Sequence, residues 1–243
     1  MRSVGLKTPS LQHTVALMRS SVDGTLREFQ LLEAARIDFN YFPSKSLYKP
    51  LMERTFTLVQ ALDQIKRTKN PKAIKPNSDL IEAFTTYASG KEVRWFNPYP
   101  RDIFPIAPGV GIPINPAGFW AEDGRLKLLW VQTWKGRTLD PLQKAIFNTI
   151  LDRRVFVGDD WKDAQLEWVD LRSPNARSPR GVEVLGRDSF DILTDEELKR
   201  HLDILLEAFE RFSEIRATRR TREKADKPPS AAPLLELMDG RKY

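Results

Sequence analysis

Six prolines fall between Pro98 and Pro116. Proline lacks a backbone N–H and its ring clashes with the preceding helical turn, so no long helix can cross that stretch. It reads instead as an extended, irregular approach to a sheet. All six tryptophans lie between Trp95 and Trp168, which puts the bulky sheet residues in the middle of the chain. Helical patterning is confined to the two flanks.

The N-terminal flank, from about 22 to 90, predicts three helices. Leu26, Phe29, Leu32, Ile37 and Phe39 form a loose apolar stripe, interrupted at Pro43 and Ser44. Leu47, Leu51, Met52, Thr55, Phe56, Val59 and Leu62 follow the i, i+3/i+4, i+7 pattern closely and predict one helix over 45–67. A basic link, 66–71, precedes a shorter helix starting at Asp79, with Glu82 in the capping-box position and Gly90 as its stop.

In the middle, strands are expected near 111–115, 119–121 and 126–134. Glu122-Asp123-Gly124 forms the turn between the last two, because Asp-Gly between apolar runs is a strong hairpin signal. Leu128-Leu129-Trp130-Val131 is apolar on both faces, as in a central strand. Asp140-Pro141, with Gln143, opens a crossover helix. Strands follow at 165–171 and 182–185, with an arginine-rich loop between them. The last helix is marked by Thr194 with Glu197 and by Leu198, Leu202, Leu205, Phe209 and Phe212.

These elements give an α+β fold: an N-terminal helical layer, a central mixed or antiparallel sheet with one crossover helix, and a long C-terminal amphipathic helix. The expected organisation is a flexible segment over 1–20, one globular domain over 21–218 and a basic, proline-containing mobile tail over 219–243. The chain has 243 residues and is 41% hydrophobic, enough for a substantial core. No stretch approaches the roughly 20 apolar residues of a membrane span. With no cysteine, the chain has no disulfide, thiolate metal site or cysteine nucleophile. The expected setting is cytoplasmic, with no membrane association.

Several chemistries are excluded by residue type. No glycine-rich phosphate loop is present, and Pro113 removes an N–H that Gly109-Val110-Gly111 would need to open a dinucleotide-binding helix. The two histidines, His13 and His201, have no second ligand at metal spacing, and no G-x-S-x-G elbow accompanies them. His13 falls in the segment read as loose, and His201 on a solvated helix face.

The order helix, three-strand meander, helix, strand resembles the core of the PD-(D/E)xK nuclease fold over about half the chain. That resemblance implies a Mg²⁺-dependent phosphodiesterase using Glu122 or Asp123 with Gln132 and Lys135. The third strand departs from the motif, because Gln132 replaces the usual acid and Lys135 falls three residues on rather than two. An odd spacing sends the two side chains to opposite faces of a strand.

The leading expectation is therefore a non-enzymatic binding or adaptor protein, requiring no cofactor. A net charge of +6 favours polyanions, nucleic acid among them. The residues assigned to that role are Arg172, Arg177 and Arg180 in the loop, and Arg216, Arg219, Arg220, Arg222 and Lys224 on the helix end. Trp134, at a strand terminus, is added as a stacking platform. Leu234, Leu235, Leu237 and Met238 form an apolar island in a polar tail, suited to docking on a protein partner.

Overall fold

The computed structural model describes residues 8–35, 39–136, 138–173, 175 and 178–225, with only the backbone described at 220 and 222–225. The fold is α+β. Its main sheet holds β3 (Gly118–Glu122), β4 (Arg125–Gln132), β5 (Gln165–Asp170) and β6 (Glu183–Leu185), in that spatial order. β3 pairs antiparallel to β4, β4 parallel to β5, and β5 antiparallel to β6. The parallel pair requires a crossover, supplied by helix α7 (Pro141–Arg154). As expected, α7 opens with a capping box in which Asp140 and Gln143 each satisfy the other's backbone N–H.

The β3–β4 hairpin is closed by Asp123 and Gly124, with φ of 53° and 73°. Two consecutive positive values define a type I′ turn, whose twist matches that of the strands. The approach strands β1 (Asp102–Ala107) and β2 (Val110–Ile114) form a separate two-stranded sheet. The expected three-strand meander is thus corrected. β2 pairs with β1, and a Pro116-containing link separates it from β3.

Period-two alternation along β4 and β5 builds the two cores. Leu128, Trp130, Leu166 and Trp168 face α7 together with α1 (Leu11–Leu17), α2 (Val22–Ala34) and α8 (Asp195–Ala225). Leu129, Val131, Val169 and Leu171 face the opposite layer. That layer comprises α3 (Phe42–Lys45), α4 (Tyr48–Met52), α5 (Leu58–Lys66) and α6 (Pro71–Ser89).

Three boundaries differ from expectation, each for a local reason. The stretch expected as one helix over 45–67 begins at the last residue of α3 and holds two helices, α4 and α5. Arg54, at φ 54°, takes a left-handed conformation that ends α4, and the Thr57–Gln60 capping box starts α5. α6 begins at Pro71, capped by the Asn70 side chain, rather than at Asp79, and it carries Pro76 in its second turn. α8 continues through 219–225, inside the segment expected to be tail.

The segment over 8–20 is also corrected. It carries α1, whose Leu11 and Val15 are fully buried. Gln143 of α7 donates to the carbonyls of Ala16 and Met18, satisfying the end of α1 that the short helix cannot. No helix among the described residues is long and apolar enough to cross a membrane.

Candidate functional site

The β3–β4 ladder ends at the pair Gly118–Leu129, while β4 runs on to Gln132. Beyond that pair the Ala117 N–H still donates to the Leu129 carbonyl at 2.8 Å, and no ladder pair joins Asn115 or Pro116 to β4. The gap opens a pocket of about 250 Å³, lined also by Ser10, Gln12 and His13 from the start of α1, Lys45 and Tyr48 from the opposite layer, and Trp130, Val131 and Thr133. Both helical layers meet there, around the end of the central strand.

Each contributing side chain is held from below. Lys45 ends α3, which is tied to α6 through Ser44 and Asn77: the Ser44 backbone N–H donates to Asn77 Oδ1 at 3.1 Å, and Asn77 Nδ2 donates to Ala73 and Asn40 carbonyls. Gln12 accepts from the Trp130 indole at 2.8 Å and donates to Gln132 Oε1, which also accepts from the Trp134 backbone. The acid-bearing strand end of a nuclease is here occupied by amides. Among the described residues, no carboxylate lines the pocket.

His13 is fixed in one tautomer. The Trp134 indole N–H donates to His13 Nε2 at 3.3 Å, and Ser10 Oγ lies 2.9 Å from Nδ1. Trp134 is a donor only, so neutral His13 must carry its proton on Nδ1 and donate to Ser10. In that state it cannot remove the Ser10 proton, so the pair is not poised as nucleophile and base.

The electrostatics are cationic. Burial lowers the Lys45 pKa, and burial followed by the Lys45 charge lowers that of His13. Both side chains keep an exposed edge at the mouth, which screens these effects. Tyr48 is 2% exposed and its hydroxyl has no hydrogen-bond partner. Burial raises its pKa against the opposing charge of Arg180, so it remains a neutral donor. Arg180 sits behind Thr133, donating to the Thr133 and Leu171 carbonyls at 3.0 and 2.7 Å and to the Tyr41 hydroxyl at 2.9 Å.

The nuclease-type set is not brought together. Glu122 stands opposite Arg125, at the start of β4, whereas Gln132 ends it. Seven residues at about 3.3 Å each separate the two ends by about 23 Å. An antiparallel hairpin necessarily places the end of one strand beside the start of the next. Glu122 is engaged with Lys127, which also pairs with Glu167 at 3.2 Å, and Asp123 belongs to the turn. Lys135 lines a different cleft with Asp79 and Glu82 of α6, away from Gln132. These residues do not fit a Mg²⁺ site.

The basic assignments divide. Arg180 is largely buried and engaged through its terminal nitrogens with the Thr133 and Leu171 carbonyls and the Tyr41 hydroxyl, while it also lines the cleft that holds Lys135. Arg172 pairs with Asp170 and Glu183, and Arg216 and Arg219 both pair with Glu33 of α2. Arg177, Leu234, Leu235, Leu237 and Met238 lie outside the described residues, as do the side chains of Arg220, Arg222 and Lys224. Trp134 is half-buried, packs against the core and meets His13 edge-on at 5.1 Å, on the side of His13 next to the pocket lining.

Sequence reasoning missed His13, Lys45 and Tyr48. One signal was available for the first: Leu11, Val15 and Met18 are spaced i, i+4, i+7 directly after Ser10, the pattern of a short capped helix. Comparison with protein families, with curated proteins and with solved structures finds no match for this chain.

Proposed function

We propose that the protein is a non-enzymatic nucleic-acid-binding protein whose ligand contacts the pocket at the end of β4. The observation that carries this reading is a pocket lined by Lys45 and His13, with no carboxylate among the described residues that line it. Such a donor set favours phosphate oxygens, because charge-assisted hydrogen bonds to an anion are about twice as strong as neutral ones. Trp134, which touches His13, adds a half-exposed aromatic ring beside it on which a base can stack. The amides Gln12 and Gln132, at the strand end where a nuclease needs acids, support binding without hydrolysis. An adaptor role through the 234–238 segment rests on its apolar sequence alone.

The test is a titration of labelled single- and double-stranded DNA and RNA at two salt concentrations, with Mg²⁺ present and a gel to detect cleavage. Binding should weaken with salt, as counterion release requires. Lys45→Glu should weaken it by about tenfold or more, and the strand should stay intact. Cleavage, or affinity indifferent to both salt and Lys45→Glu, would overturn the reading.

A further inference from the structure

Resting on that reading, we infer that His13 is a latch on Trp134, released when a phosphate enters the pocket, so that binding itself turns the indole ring for stacking. The latch is one hydrogen bond. The Trp134 indole N–H donates to His13 Nε2 at 3.3 Å, with the two rings edge-on at 5.1 Å and 78°. Indole has a donor and no acceptor, so only neutral imidazole, with a free lone pair on Nε2, can hold it. Imidazolium carries N–H on both nitrogens, and two donors 3.3 Å apart cannot bond. The other ring nitrogen behaves differently. Nδ1 lies 2.9 Å from Ser10 Oγ and donates to it in either state. His13 therefore keeps its place, beside a Gln12 bound to Trp130 and Gln132, and the indole is the partner that must turn.

The pocket sets the protonation of His13. Among the described residues that line it, Lys45 on α3 is the charged group beside His13. Tyr48 on α4 stays neutral, and Ser10, Gln12, Asn115 and Thr133 do not titrate. Burial and then the Lys45 charge lower the His13 pKa, which keeps the latch closed at neutral pH. A phosphate between Lys45 and His13 offsets that repulsion and favours imidazolium, as an opposite charge within about 4–6 Å does. Imidazolium in turn is drawn to the face of an indole rather than to its edge. Trp134 keeps its packing against the core and its backbone N–H on Gln132 Oε1 at 3.3 Å, so the change is a turn of the ring and not a movement of the strand.

The experiment follows the indole N–H resonance of Trp134 in the isotope-labelled chain, assigned by its loss in Trp134→Phe, with and without a short single-stranded oligonucleotide. Lowering the pH from about 7.5 to about 5 should shift that resonance with the titration of His13. The oligonucleotide should raise the midpoint by about one pH unit, which by linkage means about tenfold tighter binding to the protonated form. His13→Gln keeps an acceptor near the position of Nε2 but does not titrate, so its indole resonance should no longer follow pH, with or without the strand. A resonance indifferent to pH in the unaltered chain, or one that still titrates in His13→Gln, would overturn the latch. Strand binding that leaves the midpoint unmoved would overturn the inference and leave the nucleic-acid reading intact. Absence of binding by the oligonucleotide would overturn that reading, and the coupling with it.

Discussion

Gln12, on the first helix, donates its amide N–H to the side-chain oxygen of Gln132 at the end of the central strand, across 120 residues of sequence. The same Gln12 accepts from the Trp130 indole, so one buried amide fixes the N-terminal segment, the strand and the pocket wall together. Gln12→Ala removes the partner of two buried groups. It should lower stability by about 1–3 kcal/mol, a fall in melting temperature of roughly 2–4 °C per kcal/mol for a chain of this size. Thermal unfolding followed by near-ultraviolet circular dichroism, which reports the Trp130 environment, measures it.

Arg180 and Arg172 belong to one loop but differ in what they hold. Arg180→Ala leaves the buried Thr133 and Leu171 carbonyls without their donor, and should destabilise by about 1–3 kcal/mol for each group exposed to that loss. Arg172 is partly exposed, and its buried partner Asp170 keeps hydrogen bonds from the Arg172 backbone N–H and from Thr138, so Arg172→Ala should cost less than Arg180→Ala, about 1 kcal/mol. Urea unfolding of the two variants distinguishes them. Comparable losses would remove Arg180 from its assigned structural role.

Both histidines have pKa values lowered from 6.5, His13 by burial and the Lys45 charge, His201 by burial and the Arg200 charge. The unfolded chain then binds more protons just below pH 6.5, so stability falls as pH drops through that window. Melting temperatures should decline between about pH 7.5 and about pH 5.5. His13→Asn should reduce the decline, and His13→Asn with His201→Asn should abolish it. An anion beside His13 has the opposite effect on its proton affinity. Strand binding should accordingly tighten as pH falls through the same window, and His13→Asn should flatten that dependence.

A second pH-dependent contribution comes from Glu167 on β5, which pairs with Leu129 of β4. Burial raises the Glu167 pKa, but hydrogen bonds from Lys91 and Tyr87 and the charges of Lys91 and Lys127 outweigh it, leaving the value lowered. That stabilisation is present above about pH 4.5 and is lost as acid protonates the folded carboxylate. Glu167→Gln should destabilise by about 1–3 kcal/mol at neutral pH and by less near pH 3. Guanidinium unfolding at the two pH values checks it, and an equal loss at both would contradict the ionic origin.

What was legible in the sequence was what short-range chemistry fixes. Asp123-Gly124 demands a turn with positive φ, Asp140 with Gln143 and Thr194 with Glu197 mark helix starts, and the unbroken apolar run Leu128–Val131 marks a strand buried on both sides. Boundaries set by tertiary contacts were not legible. Arg54 adopts its left-handed conformation while its guanidinium reaches the Ser89 and Lys91 carbonyls, partners invisible in a local window. The pocket was least legible, because His13, Lys45, Asn115 and Trp130 come from four distant segments. Each alone reads as an ordinary surface or core residue. Glu122 and Gln132 misled for a related reason: proximity in sequence across a hairpin turn says nothing about which strand ends meet.

The most direct measurement is single-strand affinity for three proteins side by side: the unaltered chain, Lys45→Glu, and Arg216→Glu with Arg219→Glu. Arg216 and Arg219 are already paired with Glu33, whereas Lys45 faces a pocket with no acid among the described residues that line it. Binding at the end of β4 predicts that Lys45→Glu loses about tenfold or more and that the helix variant stays within about twofold. The reverse order, with the helix variant losing affinity and Lys45→Glu unaffected, would contradict the pocket as the binding site and move it to the end of α8.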